Sequence, residues 1–327
     1  MRANNQRFQE TARLIAKLLM TLVVVTLFLM PAIGQKSAKA LEYYNRGLQK
    51  QESGDLDGAL ADYDQALALE PRLGTAYNNR ANIKLQKGDL DGAINDYSKA
   101  IELNPRSVEP YFNRGVVRMQ QGNNDGAIAD FSSAIQLVPE FAMAYNNRGN
   151  ARKARGDVEA AISDYTKAIE FNPKLTIAYY NRGTAYQAKQ DTAAAVRDYT
   201  SALEASPKFV DAYINRAQLW QSQQEFDKAI ADYSKAIELK PDAGVYYARG
   251  TALQAKQDLN GALTDYSKAI ILDPNLAEAY SARAVIETLQ EKKAEALEDF
   301  ERAFKIQPGL RDVFKDFIDK RLNTRPR

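Results

Sequence analysis

Residues 142–175 read AMAYNNRGNARKARGDVEAAISDYTKAIEFNPKL, and sliding the chain against itself returns this pattern at a period of about 34 residues. That period is longer than a turn and shorter than a domain, so it marks one supersecondary unit, copied. Within the stretch, apolar and small residues recur three and four apart, the pattern of an amphipathic helix. Tyr145, Gly149 and Arg152 fall on a first helix, and Ala161, Tyr165, Ala168 and Ile169 on a second. Gly156-Asp157 supplies the turn between them, glycine tolerating a left-handed C-cap and aspartate capping the next helix. Pro173 ends the second helix. Each copy is therefore predicted to be a helical hairpin, and the fold class all-α.

Eight copies follow one another at 40–73, 74–107, 108–141, 142–175, 176–209, 210–242, 243–276 and 277–310. The sixth is one residue short, which predicts a slight bend there. The first aromatic position is Tyr in every copy, from Tyr43 to Tyr280, and the closing residue is always Pro, from Pro71 to Pro308. Two positions of the second helix are always Ala, such as Ala59 with Ala66 and Ala161 with Ala168. Alanine lets helices approach closely while the aromatic fills the space at the next turn. On these residues the stretch 40–310 resembles a tetratricopeptide repeat array. The resemblance implies an α-solenoid, a right-handed superhelix of helix-turn-helix hairpins. After Gly309, residues Leu310, Val313, Phe314, Phe317, Ile318 and Leu322 share one helical face. Residues 311–327 are thus expected to form a capping helix and tail; a membrane-surface helix is the alternative.

Composition excludes several kinds of chemistry. The chain has no Cys and no His, which removes disulfides, zinc sites of the Cys/His type, His-ligated haem and His-dependent triads. No cofactor or metal is expected. Of its 44 basic and 42 acidic residues, six and one lie in the first 40, leaving 38 against 41 in the remainder. The repeats are weakly acidic and lack the clustered positive charge of a nucleic-acid surface. Arg2, Arg7, Arg13 and Lys17 precede an uncharged apolar run and Pro31. Residues 1–39 therefore read as a signal peptide cleaved after Gly34 or Ala40, with an uncleaved anchor over 18–33 as the alternative. Either way the repeats are expected outside the cytoplasm, periplasmic or secreted, or tethered to the membrane.

One feature departs from the family. Its usual Leu before the small residue of the first helix is Arg here in all eight copies, from Arg46 to Arg283, and an Asp stands 16 residues later each time, from Asp62 to Asp299. A row of charges open to a ligand and a set of ion pairs clipping helix to helix are the two readings, and the invariable coupling of the rows favours the clips.

Candidate binding residues sit beside this row. Asn45, Asn79, Asn113, Asn147, Asn181 and Asn215 form a six-rung series, giving way to Ala248 and Ala282. In this family that position faces the concave groove, and the series resembles the asparagine ladder in the repeat superhelix of protein O-linked N-acetylglucosamine transferase. A carboxamide offers one acceptor and two donors and can pair with an extended peptide backbone whatever its sequence. The alternative is that these amides solvate the groove or bridge neighbouring helices. The preceding position alternates: Tyr44, Phe112, Tyr180 and Tyr247 in odd copies, Asn78, Asn146, Ile214 and Ser281 in even ones. These aromatics read as groove anchors or as packing, while Asn82 and Asn150 extend the amide rungs. The Lys that chaperone-tail binders of the family require at this position is absent. The expected function is a non-catalytic interaction scaffold that binds extended segments of partner proteins, with a part in assembling an envelope or membrane complex. A self-associating envelope protein or a membrane-anchored adaptor is the alternative.

Overall fold

A computed structural model describes residues 35–322, and every regular element among them is an α-helix. The residues fall into two compact units, 35–157 and 158–322. The first holds α1 (35–52), α2 (Leu56–Leu69), α3 (Gly74–Gln86), α4 (Leu90–Leu103), α5 (Val108–Gln120), α6 (Asn124–Leu137) and α7 (Ala142–Arg155). The second holds α8 (Val158–Phe171), α9 (Thr176–Ala188), α10 (Thr192–Ala205), α11 (Val210–Ser222), α12 (Phe226–Leu239), α13 (Ala243–Ala255), α14 (Leu259–Leu272), α15 (Ala277–Leu289), α16 (Lys293–Ile306) and α17 (Leu310–Arg321). From the second repeat on, every first helix starts on the residue where the sequence period places a new copy. The fold is an all-α repeat solenoid.

The helix ends follow from local chemistry. Gly54, Gly88, Gly122 and Gly156 adopt φ of 85°, 82°, 77° and 96° at the turn between paired helices, the left-handed region that glycine enters without cost. The Asp55, Asp89, Asp191 and Asp258 side chains each accept a hydrogen bond from a backbone N–H in the first turn of the second helix, as helix caps do. The later repeats keep the turn without the glycine: Gln190, Gln224, Gln257 and Glu291 sit at φ of 63°, 62°, 67° and 62°. Each costs about 1 kcal/mol of backbone strain. At the shortened sixth copy, Asp242 takes over as cap and accepts from Val245 N. The core runs through this junction unbroken, with Ala217, Tyr233, Ile237 and Val245 in one cluster.

The invariant alanines of the second helix are buried, as are the aromatics Tyr63, Tyr97, Phe131, Tyr165, Tyr199, Tyr233, Tyr266 and Phe300. In odd repeats the ring lies against a glycine one helix away. A Cβ on Gly47, Gly115, Gly183 or Gly250 would come within 2.6–2.9 Å of that ring, closer than carbon atoms approach.

The chain ends differ from expectation in two details. Helix α1 already runs at residue 35, five residues before the boundary drawn at 40, because Ala40 is fully buried and Ser37 Oγ donates to Glu70 Oε2 at 3.2 Å. The charged and apolar segment of residues 1–34 lies outside the described residues; among those described, no helix is long and apolar enough to cross a membrane. At the other end, α17 covers the last hairpin. Leu310, Phe314, Phe317 and Ile318 pack on Phe300 and Phe304, with ring centroids 5.2 Å apart for Phe300–Phe314. Val313 does not join them and is 71% exposed. It sits one position off the four- and seven-residue stripe that faces the hairpin.

Removing residues 309–327 would bare this aromatic cluster. The truncated chain is expected to scatter light as aggregates at concentrations where the full chain stays dispersed.

Candidate functional site

The arginine row organises each hairpin. Arg80 Nε and Nη2 donate to the two oxygens of Asp96 at 2.8 and 2.7 Å. The same two-pronged bond joins Arg46 to Asp62, Arg114 to Asp130, Arg182 to Asp198, Arg216 to Asp232, Arg249 to Asp265 and Arg283 to Asp299. Each of these aspartates is buried. A planar guanidinium matches a carboxylate in this way, which lysine cannot do. Its remaining nitrogen reaches backwards to the preceding repeat. Arg114 Nη1 donates to Ser98 Oγ at 2.8 Å, Arg148 Nη1 to Ser132 Oγ at 3.0 Å and Arg182 Nη1 to Thr166 Oγ1 at 3.0 Å. Arg216, Arg249 and Arg283 do the same with Thr200, Ser234 and Ser267, and Arg80 reaches Asp64. Every arginine also lies over the Tyr three residues before it, 4.9–6.0 Å from the ring centroid, a cation–π arrangement. The row is thus a structural rivet both within and between repeats. The charges that looked open to a ligand are occupied.

A second cation joins the aspartate early in the chain: Lys50 on Asp62 at 2.9 Å, Lys84 on Asp96 at 2.8 Å and Arg118 on Asp130 at 2.8 Å. Bonds from Arg46 and Lys50 hold the Asp62 carboxyl down at about 2. The same position in the last repeat is Glu287, whose side chain is only 13% exposed. Burial, and then the charge of Asp299, push its carboxyl up to about 7.

The asparagine rungs bridge repeats. Asn79 Nδ2 donates to the Tyr44 hydroxyl at 3.2 Å, Asn215 Nδ2 to the Tyr180 hydroxyl at 3.1 Å and Asn113 Nδ2 to Asn82 Oδ1 at 3.2 Å. Asn82 Oδ1 also accepts from the Tyr97 hydroxyl at 2.6 Å. Asn147 Oδ1 accepts from Asn146 Nδ2 at 3.1 Å. Asn146 and Asn181 are buried, Asn147 and Asn150 are partly buried, and Asn45 is exposed. The carbonyl oxygens of Asn113 and Asn215 have no partner among the described residues and remain half-exposed acceptors. Asn79, Asn113 and Asn215 are thus tied to the preceding repeat through their NH2 groups, and Asn113 and Asn215 keep an open carbonyl.

The alternating aromatics pack on the buried ring of their own hairpin. Centroids are 5.9 Å apart for Tyr44–Tyr63, 5.7 Å for Phe112–Phe131, 5.7 Å for Tyr180–Tyr199 and 5.8 Å for Tyr247–Tyr266. All four remain half-buried, with an edge left at the surface. Of the even-copy residues, Asn78 and Ser281 are buried and Ile214 is half-buried. In the first unit, Tyr44, Asn78 and Asn79 line a pocket of about 160 Å³ with Asn104, Ser107 and Glu109. Among the described residues no group of carboxylates is placed to hold a metal.

Two sets of residues escaped the sequence reading. The Ser/Thr two residues after the clip aspartate of the second to seventh repeats receives the next arginine, and its signal is the D-[YF]-[ST] repeated from Asp96 to Ser267; the first repeat has Asp64 at that place and the last Glu301. The glutamines Gln51, Gln187, Gln221 and Gln254 accept from the buried hydroxyls of Tyr63, Tyr199, Tyr233 and Tyr266. Where the buried ring is Phe131 or Phe300, that position is Met119 or Thr288, as expected when no hydroxyl needs an acceptor.

The profile of the TPR repeat matches residues 47–88, 81–122, 117–154, 149–190 and 250–287, and tetratricopeptide repeat profiles match 177–209 and 210–242. The chain belongs to the tetratricopeptide repeat family. No curated protein matches it. Among solved structures, this tetratricopeptide repeat protein is similar to YrrB, described as a TPR protein with an unusual peptide-binding site. Identity is 27% over 54% of this chain and 92% of that one, with a TM-score of 0.50. It shares its fold with the C-terminal part of a TPR repeat-containing protein from Cytophaga hutchinsonii, at 18% identity over 73% of this chain and 98% of that one, TM-score 0.62. A tetratricopeptide repeat protein from Parabacteroides merdae matches at 21% identity over 76% of this chain and 99% of that one, TM-score 0.57.

Arg114→Ala would strand the buried Asp130 beside Arg118 alone, and is expected to cost roughly 3 kcal/mol, read as a fall in urea midpoint. Arg114→Lys should recover only part of it, since it cannot make the paired bond. Glu287 is expected to act in the opposite sense. Its folded carboxyl titrates near 7 against an ordinary 4.5, so the folded state binds more protons and stability falls as pH rises across that window. Glu287→Gln should therefore raise the melting temperature at pH 8 and leave it unchanged at pH 4. A melting curve raised equally at both pH values would refute the assignment.

Proposed function

We propose that this protein is a non-catalytic scaffold whose first-helix face binds extended segments of partner proteins. The observation that carries this reading is the state of the asparagine rungs. Asn113 and Asn215 are held in place by their NH2 groups and turn an unpaired carbonyl to the surface, beside a half-buried aromatic or aliphatic residue of the same helix. A fixed acceptor costs little entropy to engage, and an extended backbone offers N–H groups to meet it. The peptide-binding site described for YrrB supports the same reading. Packing roles absorb the regular charged rows and so leave them no part in catalysis.

We further propose that the protein works outside the cytoplasm, in assembly of an envelope or membrane complex. Four basic residues ahead of the apolar run at 18–30 support export. Fractionation of cells expressing the full chain should then recover it beyond the cytoplasm; a purely cytoplasmic pool would sink the export reading.

For the groove, Asn45→Ala/Asn113→Ala is expected to weaken capture of partner peptides by roughly tenfold, about 0.5–1.5 kcal/mol per bond, with circular dichroism unchanged. Equal capture by wild type and variant would count against the rungs.

A further inference from the structure

Asn78, Asn79 and Tyr44 form a hydrogen-bonded chain with two open ends. Asn78 Nδ2 donates to Asn79 Oδ1 at 3.4 Å, and Asn79 Nδ2 donates to the Tyr44 hydroxyl at 3.2 Å. At one end, Asn78 Oδ1 is buried and accepts from no group among the described residues, in a residue that is only 7% exposed. A buried acceptor left unpaired is uncommon, because it has lost its water without gaining a partner. At the other end, the Tyr44 oxygen accepts from Asn79, while its own proton meets no acceptor among the described residues. Asn78 and Tyr44 both line one pocket of about 160 Å³, rimmed by the exposed Glu109, which has room for a side chain.

We propose that this pocket binds a carboxamide, the side chain of an asparagine or glutamine in an extended partner segment. The ligand NH2 donates to Asn78 Oδ1 and the ligand carbonyl accepts from the Tyr44 O–H. The open chain then closes into a ring of four hydrogen bonds, each member polarising the next. Other side chains fit worse. A carboxylate would leave Asn78 Oδ1 unpaired and bring a second negative charge to Glu109. An ammonium has no acceptor for the Tyr44 proton, and an aliphatic group leaves both ends open. This specificity rests on the groove reading above, since it adds side-chain selection to backbone binding on the same helical face.

The test is retention of the full chain on immobilised peptide pools, each randomised except for one fixed residue. Pools fixed with Gln or Asn should be retained about fivefold more than those fixed with Glu, Lys or Leu, the worth of one or two neutral hydrogen bonds. Asn78→Ala should bring this ratio close to one while retention on a fully randomised pool persists. Tyr44→Phe keeps the ring on Tyr63, removes the hydroxyl and should flatten the preference as well; it decides the matter if Asn78→Ala fails to fold. Pools retained without amide preference, or with a preference that survives both substitutions, would overturn the pocket assignment and leave the groove reading standing. Failure of the wild-type chain to retain any pool would overturn the groove reading, and the pocket with it.

Discussion

The guanidinium of the first helix meets three demands at once. Two of its donors close on a buried aspartate of its own hairpin, a third reaches the second helix of the preceding hairpin, and its face lies on the Tyr one turn earlier. A buried aspartate needs its charge matched and its oxygens satisfied, and no other side chain supplies that pairing together with a spare donor. Where the family usually puts Leu, this chain exchanges nondirectional packing for a directional bond. The bond from the third donor adds a directional contact between neighbouring hairpins to the close packing of the alanines. The flanking Asn is thereby held to one side of its helix.

That placement lets the amides bridge repeats and still leave acceptors open. A carboxamide has two ends that act independently. In Asn113 and Asn215 the donor end reaches the preceding repeat, and the acceptor end stays at the surface. The bond between repeats and the open acceptor therefore belong to different atoms of the same side chain. In Asn78 the acceptor end is instead enclosed and unpaired.

Period, hairpin boundaries and the arginine–aspartate pairing were legible in the sequence, because each depends on residues repeated without exception. What stayed hidden depends on partners that change in concert. The Tyr63–Gln51 bond and its replacement by Phe131 beside Met119 make sense only once the two positions are known to touch. The rungs were legible as a series, with bridging as one of two readings; their partners were not, since Asn79 meets Tyr44 from a repeat away. Val313 was misplaced for a simpler reason: a helical face wide enough to admit it is wider than the contact the last hairpin offers. Glu287 could have been noticed as the acid that ends a column begun by Lys50, Lys84 and Arg118.

The backward reach of the arginine has a consequence for how such a chain can change in length. Each junction after the first is written by an Arg and by a Ser or Thr one helix before it, at almost constant spacing. Excising or duplicating a whole copy among the second to seventh therefore regenerates the same junction from its new neighbours. An insertion of half a copy has no such repair, because it separates the arginine from either the carboxylate ahead or the hydroxyl behind. The interlock makes the copies exchangeable as units, and gene segments of this length are the grain at which the array can grow or shrink without redesign.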